Sequence, residues 1–77
     1  MSVLGLYFPN WQQGNQAYDT LCQLAQAKGI PGATYQNWAS GMFISTLHPE
    51  LHREFKTACQ RAGFTFEEDD NIPPQNH

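Results

Sequence analysis

The sequence predicts an α+β fold of element order βαββαβ, a four-stranded antiparallel sheet with two helices on one face. Three observations carry that expectation. Thr34–Trp38 and Met42–Leu47 read as two strands joined by a tight turn at Ala39-Ser40-Gly41, because both arms are rich in β-branched, aromatic and thioether residues around a Ser-Gly step. A strand-then-helix pattern precedes this hairpin. A helix-then-strand pattern follows it.

Val3–Phe8 is the first expected strand, with Leu4, Leu6 and Phe8 on one face and Val3, Gly5 and Tyr7 on the other. The Leu-Leu-Phe face is the better core candidate. Pro9 ends the strand because it has no N–H for a ladder. The first helix is expected over Gln16–Lys28 with Asn15 as its N-cap, and Ala17, Leu21, Leu24 and Ala25 form its apolar stripe. Gly29 suits the left-handed C′ position, with Ile30 as the apolar partner of a Schellman end. Pro31-Gly32 then punctuates the chain before the hairpin.

The second helix starts at Pro49, the favoured first helical position, with Glu50 near the positive end of the helix dipole. Leu51, Phe55, Ala58 and Ala62 make its expected stripe, flanked by Cys59. Gly63-Phe64 repeats the Gly29-Ile30 stop, and a short last strand is expected over Phe64–Glu67. This order is that of the ferredoxin-like split βαβ arrangement, in which right-handed crossovers place the first and third strands centrally. Residues 1–68 would form that one domain, and 69–77 a flexible acidic and polar tail.

Composition narrows the function. The chain of 77 residues is 40% hydrophobic and only 14% charged, with eight Gln and five Asn. A weakly charged, amide-rich surface suits contact with another protein better than contact with a polyanion. Net charge is −3, and the four basic residues, Lys28, Arg53, Lys56 and Arg61, all fall on helices or at a helix end. A nucleic-acid binder needs a basic stripe for phosphate contacts, and none is present. No stretch approaches the ~20 apolar residues of a membrane span. The N-terminus lacks signal-peptide features and Ser2 excludes myristoylation, so a cytoplasmic setting is expected.

Four places could carry chemistry. The first is the sheet face away from the helices, where Tyr7, Trp38 and Phe43 would be exposed anchors for a partner protein, with Trp11 at the rim. A one-residue slip in Thr34–Trp38 would move Trp38 to the other face. The element order together with Tyr7 and Phe43 also resembles an RNA-recognition motif. That resemblance implies single-strand binding by base stacking on the first and third strands, but its flanking basic residues and Gly-aromatic pattern are missing here.

His48 and His52 stand at i, i+4 and could reach one metal, or serve as acid or base in a pocket at a dimer seam. Pro49 puts His48 outside regular helix geometry, no third ligand follows, and the expectation is no metal and no cofactor. Cys22 and Cys59 flank their helix stripes and are expected at opposite outer edges, reduced and unable to bridge. The stretch Asn10–Asn15 offers a Gly and a helix start for an anion. It lacks the Arg that acylphosphatases use there and the Cys-x-x-Cys of metal-transport domains.

No nucleophile, base and orienting group come together in the sequence, and Glu67, Glu68, Asp69 and Asp70 read as a solvated run. The expectation is therefore a small protein–protein interaction module, binding itself as a homodimer or binding and inhibiting a larger protein. A small-molecule or catalytic site at a dimer seam is the alternative. The RNA-recognition-like reading comes third, disfavoured by charge.

Overall fold

A computed structural model describes residues 4–30 and 33–68 of the chain. Its order is β1 (Leu4–Phe8), α1 (Trp11–Lys28), β2 (Thr34–Trp38), β3 (Gly41–Thr46), α2 (Pro49–Ala62) and β4 (Glu67–Glu68). The strands form one antiparallel sheet in the spatial order β2-β3-β1-β4. Val3, the Pro31-Gly32 step and the tail 69–77 lie outside the described residues.

Both helices cover the sheet face formed by Leu6, Phe8 and Ile44. These three join Ala17, Leu21 and Ala25 of α1 and Leu51, Phe55 and Cys59 of α2 in one buried core. Phe8 is its aromatic centre, with ring centroids 6.1 Å from Phe55, 6.5 Å from Phe64 and 5.7 Å from Phe66. The two helix stops form as their sequences require. Gly29 and Gly63 take φ of +67° and +78°, and the Ile30 and Phe64 N–H groups donate back to the Ala25 and Cys59 carbonyls, closing two Schellman ends. Lys28 ties the helices together, its Nζ 2.6 Å from Glu54 and 3.4 Å from Glu50.

Four expectations need correction. Helix α1 begins at Trp11, five residues before Gln16, and its N-cap is Asn10, whose Oδ1 accepts the Gln13 N–H at 3.0 Å. Gly14 therefore sits inside the helix. A helical Gly costs roughly 0.5–1 kcal/mol relative to Ala, but here its missing side chain admits β3, since a Cβ would lie 2.8 Å from the Met42 Sδ. The loop expected at Asn10–Asn15 for an anion thus belongs largely to the first turns of α1.

Cys59 is the second correction. It is buried in the core at 1% exposure, whereas Ala62 is exposed. Leu51, Phe55 and Cys59 recur at i, i+4 and i+8, so one line of α2 faces the sheet and Ala58 falls to its side. Burial pushes the Cys59 thiol up to about 12. Cys22 is half-buried, and both cysteines are unpaired. A thiol reagent at mildly alkaline pH should accordingly titrate Cys22 in the native protein and Cys59 only after denaturant is added. Two equally fast thiols would mean that α2 does not seal the core.

The last strand is the third. It pairs Leu6↔Glu68 and Tyr7↔Glu67, and Phe64 and Phe66 precede it as a segment whose rings pack on Phe8. Finally, β3 spans Gly41–Thr46, one residue earlier than expected, and leaves Leu47 exposed at 68%. Ala39 and Ser40 alone make the turn.

Candidate interaction face

The ladder register assigns every strand residue to a side, because residues directly opposite in an antiparallel pair share a face. Tyr7↔Phe43, Gly5↔Ser45, Gln36↔Phe43, Thr34↔Ser45 and Trp38↔Gly41 are paired. Tyr7, Phe43, Gln36, Thr34 and Trp38 therefore line the face turned away from the helices. Tyr35 belongs to the other side, where its ring lies 4.7 Å from that of Tyr18 on α1. Tyr18 itself has its phenol raised above 10.0, first by its hydrogen bond with Cys22.

The three aromatics on the open face are packed on one another. Trp38 stands opposite Gly41, which offers no side chain, and its indole falls across the neighbouring strands. It stacks at 5.2 Å and 7° on Phe43 and at 5.4 Å and 27° on Tyr7. Its Nε1–H donates to the Gln36 Oε1 at 2.9 Å. The Tyr7 hydroxyl donates to the Ser40 Oγ at 2.6 Å, which pins the turn to β1. Phe43 in turn lies over Gly5, where a Cβ would meet its ring and sit 2.8 Å from the Ile44 carbonyl oxygen.

The consequence separates the three residues. Tyr7 and Phe43 are buried at 7% and 9% exposure, although neither α1 nor α2 covers them, whereas Trp38 is half-buried. On this face Trp38 therefore lies outermost of the three, with exposed Gln36 and Thr34 beside it. Trp11 is exposed at 42% as the first residue of α1 and makes no aromatic contact with the other three among the described residues.

The two histidines are separated in role. His48 caps α2, its N–H donating to the Thr46 Oγ1 at 3.2 Å. His52 has its side chain 12% exposed, with Nε2 3.6 Å from the Glu68 Oε2 and a buried Nδ1 without a hydrogen-bond partner among the described residues. Glu68 also pairs with Lys56. The Lys56 hydrogen bond, followed by the Lys56 and His52 charges, holds the Glu68 carboxyl below the ordinary 4.5. Glu68 thus sits on the helix side of the sheet, its side chain paired but still 43% exposed, while Asp69 and Asp70 lie outside the described residues. No group of three metal-ligating side chains occurs among the described residues.

A shallow groove absent from the sequence reading lies between the helices, lined by Leu24, Arg53, Glu54, Thr57, Ala58 and Arg61, with a volume near 320 Å³. None of Tyr7, His48 or His52 lines it. Leu24 was legible only as part of a core stripe, and it is partly buried against the core.

Comparison of the chain with protein-family models, curated proteins and solved structures found no match. Among the described residues, no helix is long and apolar enough to cross a membrane.

Proposed function

We propose that this chain is a small protein–protein interaction module that meets its partner through the open sheet face centred on Trp38. The observation that carries the reading is the Tyr7–Trp38–Phe43 stack. It holds a large indole rigidly on a face that neither α1 nor α2 covers, and preorganised Trp and Tyr are the residues enriched at binding hot spots. Tyr7 and Phe43 act as the bed that fixes Trp38, and Gln36 orients its Nε1.

The strand order, read from the other edge as β4-β1-β3-β2, supports a ferredoxin-like arrangement. Two free thiols, one of them sealed in the core, suit a reducing compartment such as the cytoplasm. Base stacking on Tyr7 and Phe43 is the weaker reading of the same face. Trp38 already lies on both rings, and Lys28, Arg53, Lys56 and Arg61 all belong to the helical layer.

Trp38→Ala tests the proposal. Circular dichroism establishes that the variant folds, and proteins retained on immobilised wild-type and variant chains are then compared. The reading expects partners held by the wild type to be lost with Trp38→Ala, and their retention to persist in ~1 M salt, where charge contacts are screened within roughly 3 Å. Equal retention by both chains would overturn it.

A further inference from the structure

Resting on the reading above and naming its partner, we propose that a second copy of the chain pairs antiparallel along β2, joining two sheets into one of eight strands about a twofold axis at Gln36. The two edges of the sheet are built differently. One is β4, two residues long and consisting of Glu67 and Glu68. Short, charged edges are how proteins block edge-to-edge pairing. The other is β2, Thr34-Tyr35-Gln36-Asn37-Trp38, five residues with no charge, no Pro and no glycine. Its first four residues are exposed, and Tyr35 alone is exposed at 48%. Among the described residues, the outer backbone N–H and C=O groups of β2 pair with no other strand.

We commit to a second copy as the occupant because the uncharged β2 edge keeps the like charges of two chains away from the contact. The chain carries net charge −3, and pairing along β2 brings two such chains together at their uncharged edge while both Glu67-Glu68 edges stay at the far ends of the joined sheet. The sequence of β2 is also compatible with itself. In an antiparallel pair centred on Gln36, Tyr35 of one copy meets Asn37 of the other on the helix side, and Trp38 meets Thr34 on the open side. No like charges oppose each other, and a twofold pair is self-complementary by construction. Each Trp38 would then stand opposite the partner's Thr34 on the open side, with its indole lying back over β3 and β1.

The test uses the full chain and light scattering on a sizing column across a concentration series. Wild type should approach twice 8.7 kDa as concentration rises. Gln36→Lys and Gln36→Glu each place like charges opposite one another at the axis and should raise the dimer dissociation constant about fivefold. Mixing the two variants should restore dimer to at least the wild-type level, which a folding defect in either variant could not do.

A wild type that stays at the monomer mass up to ~1 mM, near the weakest affinity class worth calling specific, would overturn the dimer. So would charge variants that dissociate like wild type, or a mixture that fails to recover. Failure of the dimer is distinct from failure of the face. A monomeric chain that still loses a foreign partner on Trp38→Ala keeps the interaction reading, whereas a Gln36-dependent dimer indifferent to Trp38 places association at the edge alone.

Discussion

Phe8→Ala should be the most destabilising single truncation in the domain, shifting the urea midpoint far below that of the wild type. Phe8 is fully buried and its ring is met by Phe55, Phe64 and Phe66, so it joins β1 to α2 and to the segment that leads into β4. Truncating a buried Phe to Ala costs about 3–5 kcal/mol through lost burial and the cavity left behind. At ~0.05–0.15 kcal/mol per residue, a chain of this size has a total stability of about 4–12 kcal/mol. The substitution therefore removes about a quarter of the stability at the least and all of it at the most. Urea titration followed by circular dichroism reads the loss directly. Phe8→Leu keeps much of the volume and should retain a cooperative transition. A Phe8→Ala protein with a wild-type midpoint would mean that the four-ring cluster is not the centre of the core.

Gly41→Ala should also destabilise the domain, for a different reason. Gly41 opens β3 opposite Trp38, and a Cβ there would run into the Phe8 carbonyl oxygen and come within 2.9 Å of both the Pro9 Cα and the Tyr7 hydroxyl. Two of these three atoms belong to the backbone of the β1 end, which cannot rotate away as a side chain could. Overpacking of this kind costs about 1–3 kcal/mol. It should also displace Tyr7 from Ser40 and tilt Trp38, so the near-ultraviolet dichroism of the aromatic stack should change along with the urea midpoint. Gly29→Ala is the control. Its added Cβ meets nothing within 4 Å, so its cost comes only from the left-handed φ of +67°, roughly 1–2 kcal/mol. A near-ultraviolet spectrum unchanged by Gly41→Ala would argue that the stack does not depend on that close approach.

The parts of this fold that were legible in the sequence are those fixed by local chemistry. Pro49 at the start of α2, Gly29 and Gly63 at the helix ends, and the β-branched and aromatic arms of the hairpin each act within a few residues, and each is where the local rule puts it. The parts that were not legible depend on groups brought together from far apart. Gly14 reads as a helix breaker until Met42 is seen against it. Cys59 reads as a flank until α2 is rotated so that its i+4 line meets Leu6 and Ile44.

The candidate face divides the same way. Strand alternation places Tyr7, Phe43 and Trp38 on one side, but it cannot say that Trp38 will lie across the other two and cover them. One signal was available: an aromatic directly across a ladder from a glycine tends to fold over it, and Trp38 faces Gly41 across a two-residue turn. The pairing of Glu68 with Lys56 and His52 gave no such sign, because it depends on where a two-residue strand docks beside β1.

The proposed pairing of two copies along β2 is tested most directly by contacts between molecules. A sample mixed equally from isotope-labelled and unlabelled chains isolates nuclear Overhauser effects between molecules from those within one. Contacts between the Trp38 indole of one copy and the Thr34 methyl of the other, together with Tyr35 to Asn37, are the expected result. Intermolecular contacts arising instead from Trp11, from Leu47 or from the groove beside Arg53 and Arg61, or their complete absence at concentrations near 1 mM, would contradict it.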